Sequence, residues 1–78
     1  MSHFWYRTRV GMFRIAQSSD GRWHPWFEDE DLGSYPTAQH ACDDLVGGHT
    51  HWPSCGDPSR LGLPDEISAW NRGSPDRD

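Results

Sequence analysis

Residues 23–48, WHPWFEDEDLGSYPTAQHACDDLVGG, decide the fold that we predict for this 78-residue chain. The helix is the clearest part, because Thr37 can cap a first turn and the glycines at 47–48 permit a left-handed stop. Between them, apolar residues recur at the spacing of one helix face. A helix of about nine residues is too short to stand alone and must pack on a sheet. Its apolar face is formed by Ala38, Ala41, Cys42, Leu45 and Val46.

The sheet begins before this stretch, in the aromatic and β-branched residues 4–17, FWYRTRVGMFRIAQ. They predict one long first strand. The apolar phase changes by one residue at Gly11, which is the effect of a β-bulge. The turn 18–21, SSDG, ends this strand, since Asp-Gly supplies the left-handed conformation of a tight hairpin.

The chain returns in a second predicted strand at 22–28. Pro25 cannot donate a ladder hydrogen bond, so this strand is expected at the sheet edge or kinked in its middle. The acidic run 28–31 is interpreted as a solvated turn, and 32–35 as a short third strand.

The predicted architecture is a single small α+β domain over residues 1–72. It consists of a three-stranded antiparallel sheet (a hairpin plus a short third strand), one main helix packed on one face, and a short C-terminal helical turn. Ile67 and Trp70 are expected to hold that turn against the domain. Residues 73–78 are predicted to be a disordered tail.

Four motifs carry a resemblance to a known group of proteins. They are GMFRI at 11–15, DGRW at 20–23, LGSY at 32–35, and the helix with its glycine stop at 37–48. Over residues 10–50 the chain resembles small uncharacterised bacterial proteins, a domain of unknown function in which an LG-x-Y-x-[ST] pattern leads into the helix. The resemblance implies a ββ(β)α fold and transfers no catalytic residue.

Composition predicts a soluble cytoplasmic protein without a membrane partner. No apolar run approaches the roughly 20 residues of a membrane helix, and the N-terminus lacks a signal peptide. Two cysteines are too few for a disulfide scaffold, and we expect both to be reduced thiols. All seven basic residues are arginine, a bias typical of GC-rich bacterial genomes.

The net charge of −5 is unevenly distributed along the chain. Residues 1–27 carry +3 and the remainder −8. Arg7, Arg9 and Arg14 interleave with aromatic residues, and the predicted bulge would bring all three to one sheet face. Such a mixture binds single-stranded nucleic acid in several folds, although arginines also solvate exposed sheet faces that bind nothing.

Four zinc-type ligands lie close together in the sequence: Cys42, His49, His51 and Cys55. Their spacing, C-x6-H-x-H-x3-C, matches neither a zinc ribbon nor a zinc finger. Cys42 lies on the apolar face of the helix, where a buried thiol packs as a small hydrophobe. Cys55, in a loop near the two histidines, is the better candidate for a reactive thiol, because Asp43 and Asp44 beside Cys42 would raise the pKa of that thiol.

No phosphate loop, nucleophile elbow or zinc-protease motif is present, so we expect neither an enzyme nor a cofactor. The predicted function is a non-enzymatic binding module whose partner is another protein or a second copy. Trp26 and Trp52 would form its contact patch. Nucleic-acid binding by the arginine face, and a metal or thiol site at the 49–55 loop, are the alternatives. A core that uses the tryptophans would explain the same composition without any partner.

Overall fold

The computed structural model describes residues 3–73 and confirms the predicted α+β class. Over these residues the antiparallel sheet has five strands rather than the predicted three, in the order β4-β3-β2-β1-β5. The main helix, α1, spans Ala38–Gly47, and 3₁₀ turns follow at Pro58–Arg60 and Ile67–Ala69. The strands are β1 (His3–Thr8), β2 (Gly11–Gln17), β3 (Trp23–Phe27), β4 (Glu30–Asp31) and β5 (Asn71–Arg72).

The prediction of one bulged strand over residues 4–17 is wrong, because these residues form the β1–β2 hairpin. Thr8 pairs with Gly11, which leaves Arg9 and Val10 as a two-residue turn. The Thr8 hydroxyl donates to the Gly11 carbonyl at 2.8 Å and accepts from the Val10 N–H at 3.2 Å. These local side-chain hydrogen bonds close a turn that the residue types of Arg9 and Val10 do not predict.

Pro25 lies inside the sheet, not at its edge, because β3 pairs with β2 on one side and with β4 on the other. The Pro25 carbonyl accepts from the Leu32 N–H at 2.8 Å, so the missing N–H would face the carbonyl of Leu32. That carbonyl accepts from the His51 N–H at 3.2 Å instead. The loop after α1 thus compensates for a proline in an internal strand.

The third strand is shifted towards the acidic run. β4 consists of Glu30 and Asp31, whereas Tyr35 forms only an isolated bridge with Trp23. The fifth strand was not predicted; Asn71 and Arg72 pair with the first strand.

The helix follows the prediction closely. The Thr37 hydroxyl accepts from the His40 N–H at 3.0 Å, and Gly48 ends the helix in the left-handed region at φ 78°. Ala41, Cys42 and Leu45 are fully buried against the sheet.

The core lies between the sheet and α1. Its largest fully buried side chains include Phe13, Ile15 and Leu45, and the Phe13 and Phe27 rings meet at 4.8 Å between centroids. Trp70 is buried after the second 3₁₀ turn, as predicted, and its indole N–H donates to the Pro64 carbonyl at 2.9 Å. Ile67 packs beside it, half-buried.

At the C-terminal end of the described residues, the Gly73 N–H donates to the His3 carbonyl at 3.0 Å. The rest of the predicted tail lies outside the described residues. Within residues 3–73, no helix has the length and apolar character needed to cross a membrane.

Candidate binding surface on the open sheet face

The sheet has a second face, opposite α1, on which no element of residues 3–73 packs. Side chains alternate between the two faces along each strand. On β2, Phe13 and Ile15 point into the core, so Arg14 and Ala16 belong to the second face. We call this second side the open face.

One row of side chains crosses the open face from edge to edge. Arg14 is paired with Trp5 on β1 and with Trp26 on β3. Asn71 adjoins Trp5 at one end, and Asp31 adjoins Trp26 at the other. Directly paired side chains have Cβ atoms about 5 Å apart, so Arg14 has a tryptophan as its cross-strand neighbour on each side. We call Trp5, Arg14 and Trp26 the central row.

A neighbouring row contains His3, Ala16 and His24. The small Ala16 side chain leaves room above it, and a pocket of about 360 Å³ lies there. The pocket thus adjoins the central row and combines an aromatic face, a cation and polar groups. It is lined by Arg14, Ala16, Gln17, Ser18, His24, Trp26 and Asp31.

Polar contacts hold the pocket walls in place. His24 Nδ1 lies 3.1 Å from both carboxylate oxygens of Asp31, and the same carboxylate accepts from the Gly33 N–H at 3.1 Å. Arg14 donates to the Glu28 carbonyl at 2.9 Å. The imidazole and the guanidinium are therefore oriented by the fold before any ligand binds.

The pocket contains serine, histidine and aspartate but does not form a catalytic triad. A nucleophilic serine must donate its proton to the histidine. The Ser18 hydroxyl instead donates to Asp20 and to the Arg22 carbonyl within the hairpin turn. These contacts give Ser18 a structural role in the turn.

Two buried polar atoms on the open face, His3 Nδ1 and Trp5 Nε1, have no hydrogen-bond partner among residues 3–73. An unpaired buried polar atom costs about 1–3 kcal/mol. Side-chain hydrogen bonding is therefore less complete at the β1 end of the open face than at the β3 end, where His24 and Asp31 pair.

The structure places two of the three arginines of the predicted face together and the third elsewhere. Arg7 and Arg14 do share the open face, although a hairpin and not a bulge brings them together. Arg9 lies in the β1–β2 turn and is separate from them. Arg14 shares its row with the carboxylate of Asp31, and the Glu28 carboxylate accepts from the N–H of Met12, the cross-strand partner of Arg7.

The structure also divides the predicted tryptophan patch. Trp26 belongs to the central row, and its side chain is half-buried. Trp52 is 60% exposed and lies in the loop after α1, where its indole N–H donates to the Gly48 carbonyl at 2.9 Å. Trp52 is therefore a separate surface feature.

The four zinc-type ligands do not form a site. Cys42 is fully buried in the core, and its thiol donates to the Pro64 carbonyl at 3.4 Å. Across residues 3–73, no group of three or more His, Cys, Asp or Glu side chains is placed to hold a metal ion.

Neither thiol is activated. Burial, with Asp43 nearby, raises the pKa of Cys42 to about 11, and burial also raises the pKa of Cys55. Raising the pKa lowers the fraction of reactive thiolate at neutral pH.

The sequence prediction did not include several residues of the open face, among them Trp5, His24 and Asp31. Trp5 follows from the hairpin register, because pairing Thr8 with Gly11 places Trp5 beside Arg14. His24 and Asp31 lie seven positions apart and meet only because β4 turns back on β3. No sequence motif signals that contact.

No protein-family model, curated protein or solved structure matches the chain. The resemblance over residues 10–50 therefore stays a prediction.

Proposed function

We propose that this protein is a non-enzymatic binding module and that the open face of its sheet is the binding surface. The observation that carries the proposal is the central row: two tryptophans flank an arginine on a sheet side that no described element covers. Tryptophan and arginine are the residues most enriched at binding hot spots.

Burial of the other tryptophans supports this choice. Trp70 is buried, and Trp23 packs against the core, so core packing accounts for these two rings. Trp5 and Trp26 lie on the other side of the sheet, where they contribute nothing to that core. Their position is explained by recognition of a partner with flat, apolar groups.

The indole N–H signals of the five tryptophans provide a direct test by nuclear magnetic resonance. Three defined probes are titrated: a mixed-sequence single-stranded oligonucleotide, a glutamate-rich peptide containing tyrosine, and the protein itself at rising concentration. At least one probe should shift the signals of Trp5 and Trp26 and leave those of Trp23 and Trp70 unchanged. Trp52 is the internal control, since it is exposed but belongs to the loop after α1 and not to the sheet.

The proposal is wrong if none of the three probes shifts Trp5 and Trp26, or if Trp52 always shifts more strongly. The second result would move the binding surface to the loop after α1.

A further inference from the structure

We infer that the ligand of the open face is single-stranded nucleic acid, with bases stacked on Trp5 and Trp26 and a phosphate bound to Arg14. This inference rests on the proposed function and specifies its partner. It follows from the order of groups in the central row, from the pocket beside it, and from the distribution of charge between the two sides of the protein.

The order of groups matches the repeat of a single strand. Neighbouring strands lie about 4.8 Å apart, so the backbones carrying Trp5 and Trp26 are separated by about 10 Å, with Arg14 midway. A ligand that crosses the strands therefore meets Trp5, Arg14 and Trp26 in turn, with the Arg14 guanidinium held by the Glu28 carbonyl beside the row. Single-stranded nucleic acid alternates flat bases with negative phosphates, and sheet surfaces bind it by this combination.

The pocket adds a place for one base beside Trp26. Ala16 and the aromatic Trp26 both line it. His24 Nε2 has no hydrogen-bond partner among residues 3–73, whereas Nδ1 contacts Asp31. An unstacked base has hydrogen-bonding groups along its edge, so it can use both the aromatic wall and the free ring nitrogen.

The open face carries Arg7 and Arg14 beside the carboxylates of Asp31 and Glu28, and further acids lie on the helix side. Asp43 of α1, together with Asp65 and Glu66 before the second 3₁₀ turn, is exposed on the helix side. Gln39 binds both the Asp43 carboxylate and the Asp65 carbonyl, which fixes this acidic group beside α1. The molecule measures 22 Å along its shortest axis, and charges are screened beyond about 8 Å at physiological salt. The acids on the helix side are thus screened from an anionic ligand on the open face.

A second copy fits this surface less well. A two-fold axis through the open face would bring its central residue close to the same residue of the partner. That residue is Arg14, so two guanidinium groups would be desolvated against each other. An acidic peptide would neutralise Arg14 but lacks regularly spaced flat rings for both tryptophans.

The test is fluorescence anisotropy of a labelled mixed-sequence oligonucleotide of about twelve nucleotides, a length within the site size of small single-strand-binding domains. If Arg7 and Arg14 each contact a phosphate, the slope of log K against log salt is about −1.4. Binding should therefore weaken about sevenfold between about 50 mM and 200 mM salt. Duplex of the same sequence should bind less tightly, because its bases cannot stack on the rings.

Matched variants separate the two kinds of contact. Trp26→Leu keeps an apolar side chain but removes the ring, and it should weaken binding by about 5- to 150-fold. Trp26→Phe should retain most of the affinity, and Trp52→Leu should change nothing. Arg14→Gln should reduce the salt slope to about −0.7. Because these residues lie outside the core, urea unfolding should show each variant to be folded. If Trp26→Leu does not fold, Arg14→Gln still tests the inference.

Four results would overturn the inference. They are the absence of binding at about 50 mM salt, equal affinity for duplex, equal affinity for a free mononucleotide, and an equal loss in Trp52→Leu and Trp26→Leu. If the glutamate-rich peptide or the protein itself shifts Trp5 and Trp26 while the oligonucleotide does not, the inference fails and the proposed function stands. If none of these probes acts on the open face, both fail.

Discussion

Replacing Gly11 by alanine tests the β1–β2 hairpin turn, which the sequence does not predict. Gly11 has φ +148°, a conformation that side-chain-bearing residues rarely adopt. A Cβ atom there would lie 2.9 Å from the Phe27 ring and 2.7 Å from the Glu28 carboxylate. The carboxylate can move, but the ring cannot move freely, because Phe27 is 5% exposed and packs on the fully buried Phe13.

The magnitude has two parts. Backbone strain of this kind costs about 1–3 kcal/mol, and forcing extra volume against a packed ring costs about another 1–3 kcal/mol. A value near 4 kcal/mol is a large share of the roughly 4–12 kcal/mol expected for a domain of 78 residues. We therefore expect Gly11→Ala to lose a third or more of the free energy of unfolding.

The assay is urea unfolding followed by tryptophan fluorescence, with Gly21→Ala as the matched control. Gly21 also has a positive φ, +85°, but a Cβ atom there meets nothing within 4 Å. The control should lose only about 1–2 kcal/mol from its left-handed conformation. If the two variants lose the same free energy to within about 0.5 kcal/mol, the close approach of Gly11 to Phe27 has no energetic weight and the reasoning is refuted.

Three further predictions concern the helix and the thiols. Thr37→Ala should cost about 1 kcal/mol of unfolding free energy, because the His40 N–H loses its acceptor, whereas Thr37→Ser should be nearly neutral; a neutral alanine variant in urea unfolding would contradict the cap. In the folded protein, iodoacetamide should label Cys55 and leave Cys42 unmodified, as peptide mass mapping can check, and denaturant should make both react. The raised pKa of Cys42, about 11 against an ordinary 9.0, means that the folded state holds this proton more tightly. The contribution of Cys42 to the free energy of unfolding should therefore be fully present below pH 9 and should be lost as the pH rises towards 11. Cys42→Ala should reduce this dependence of stability on pH.

Several elements are predictable from the sequence because local chemistry determines them. Thr37, the apolar face of α1 and Gly48 form a complete helix signal, and Asp20-Gly21 marks the β2–β3 turn. These signals need no tertiary information.

The sequence predicts the wrong structure where tertiary contacts override local preference. Arg9 and Val10 are not typical turn residues, so the β1–β2 hairpin resembles a continuous strand until Thr8 is seen to bind both neighbours. Pro25 disfavours an internal strand, because it has no N–H to donate. The Leu32 carbonyl that would accept from it is bound instead by the N–H of His51, which is distant in sequence.

The candidate site was predictable in part. Arg7, Arg14 and Trp26 were identified by residue type, but Trp5 required the hairpin register. Arg9 and Trp52 were included because type alone cannot separate a turn or loop residue from a face residue. The contact between His24 and Asp31 depends on the short β4, which local pattern placed two residues too late.

The alternation along β2 has a consequence for how such a protein can diverge. Phe13 and Ile15 are buried in the core, while Arg14 and Ala16, one position away, lie on the open face. If the open face binds a ligand as proposed, selection for folding and selection for recognition act on interleaved positions of one strand. Ligand preference could then change by substitutions at Arg14, Ala16 and their cross-strand neighbours while the core sequence stays constant.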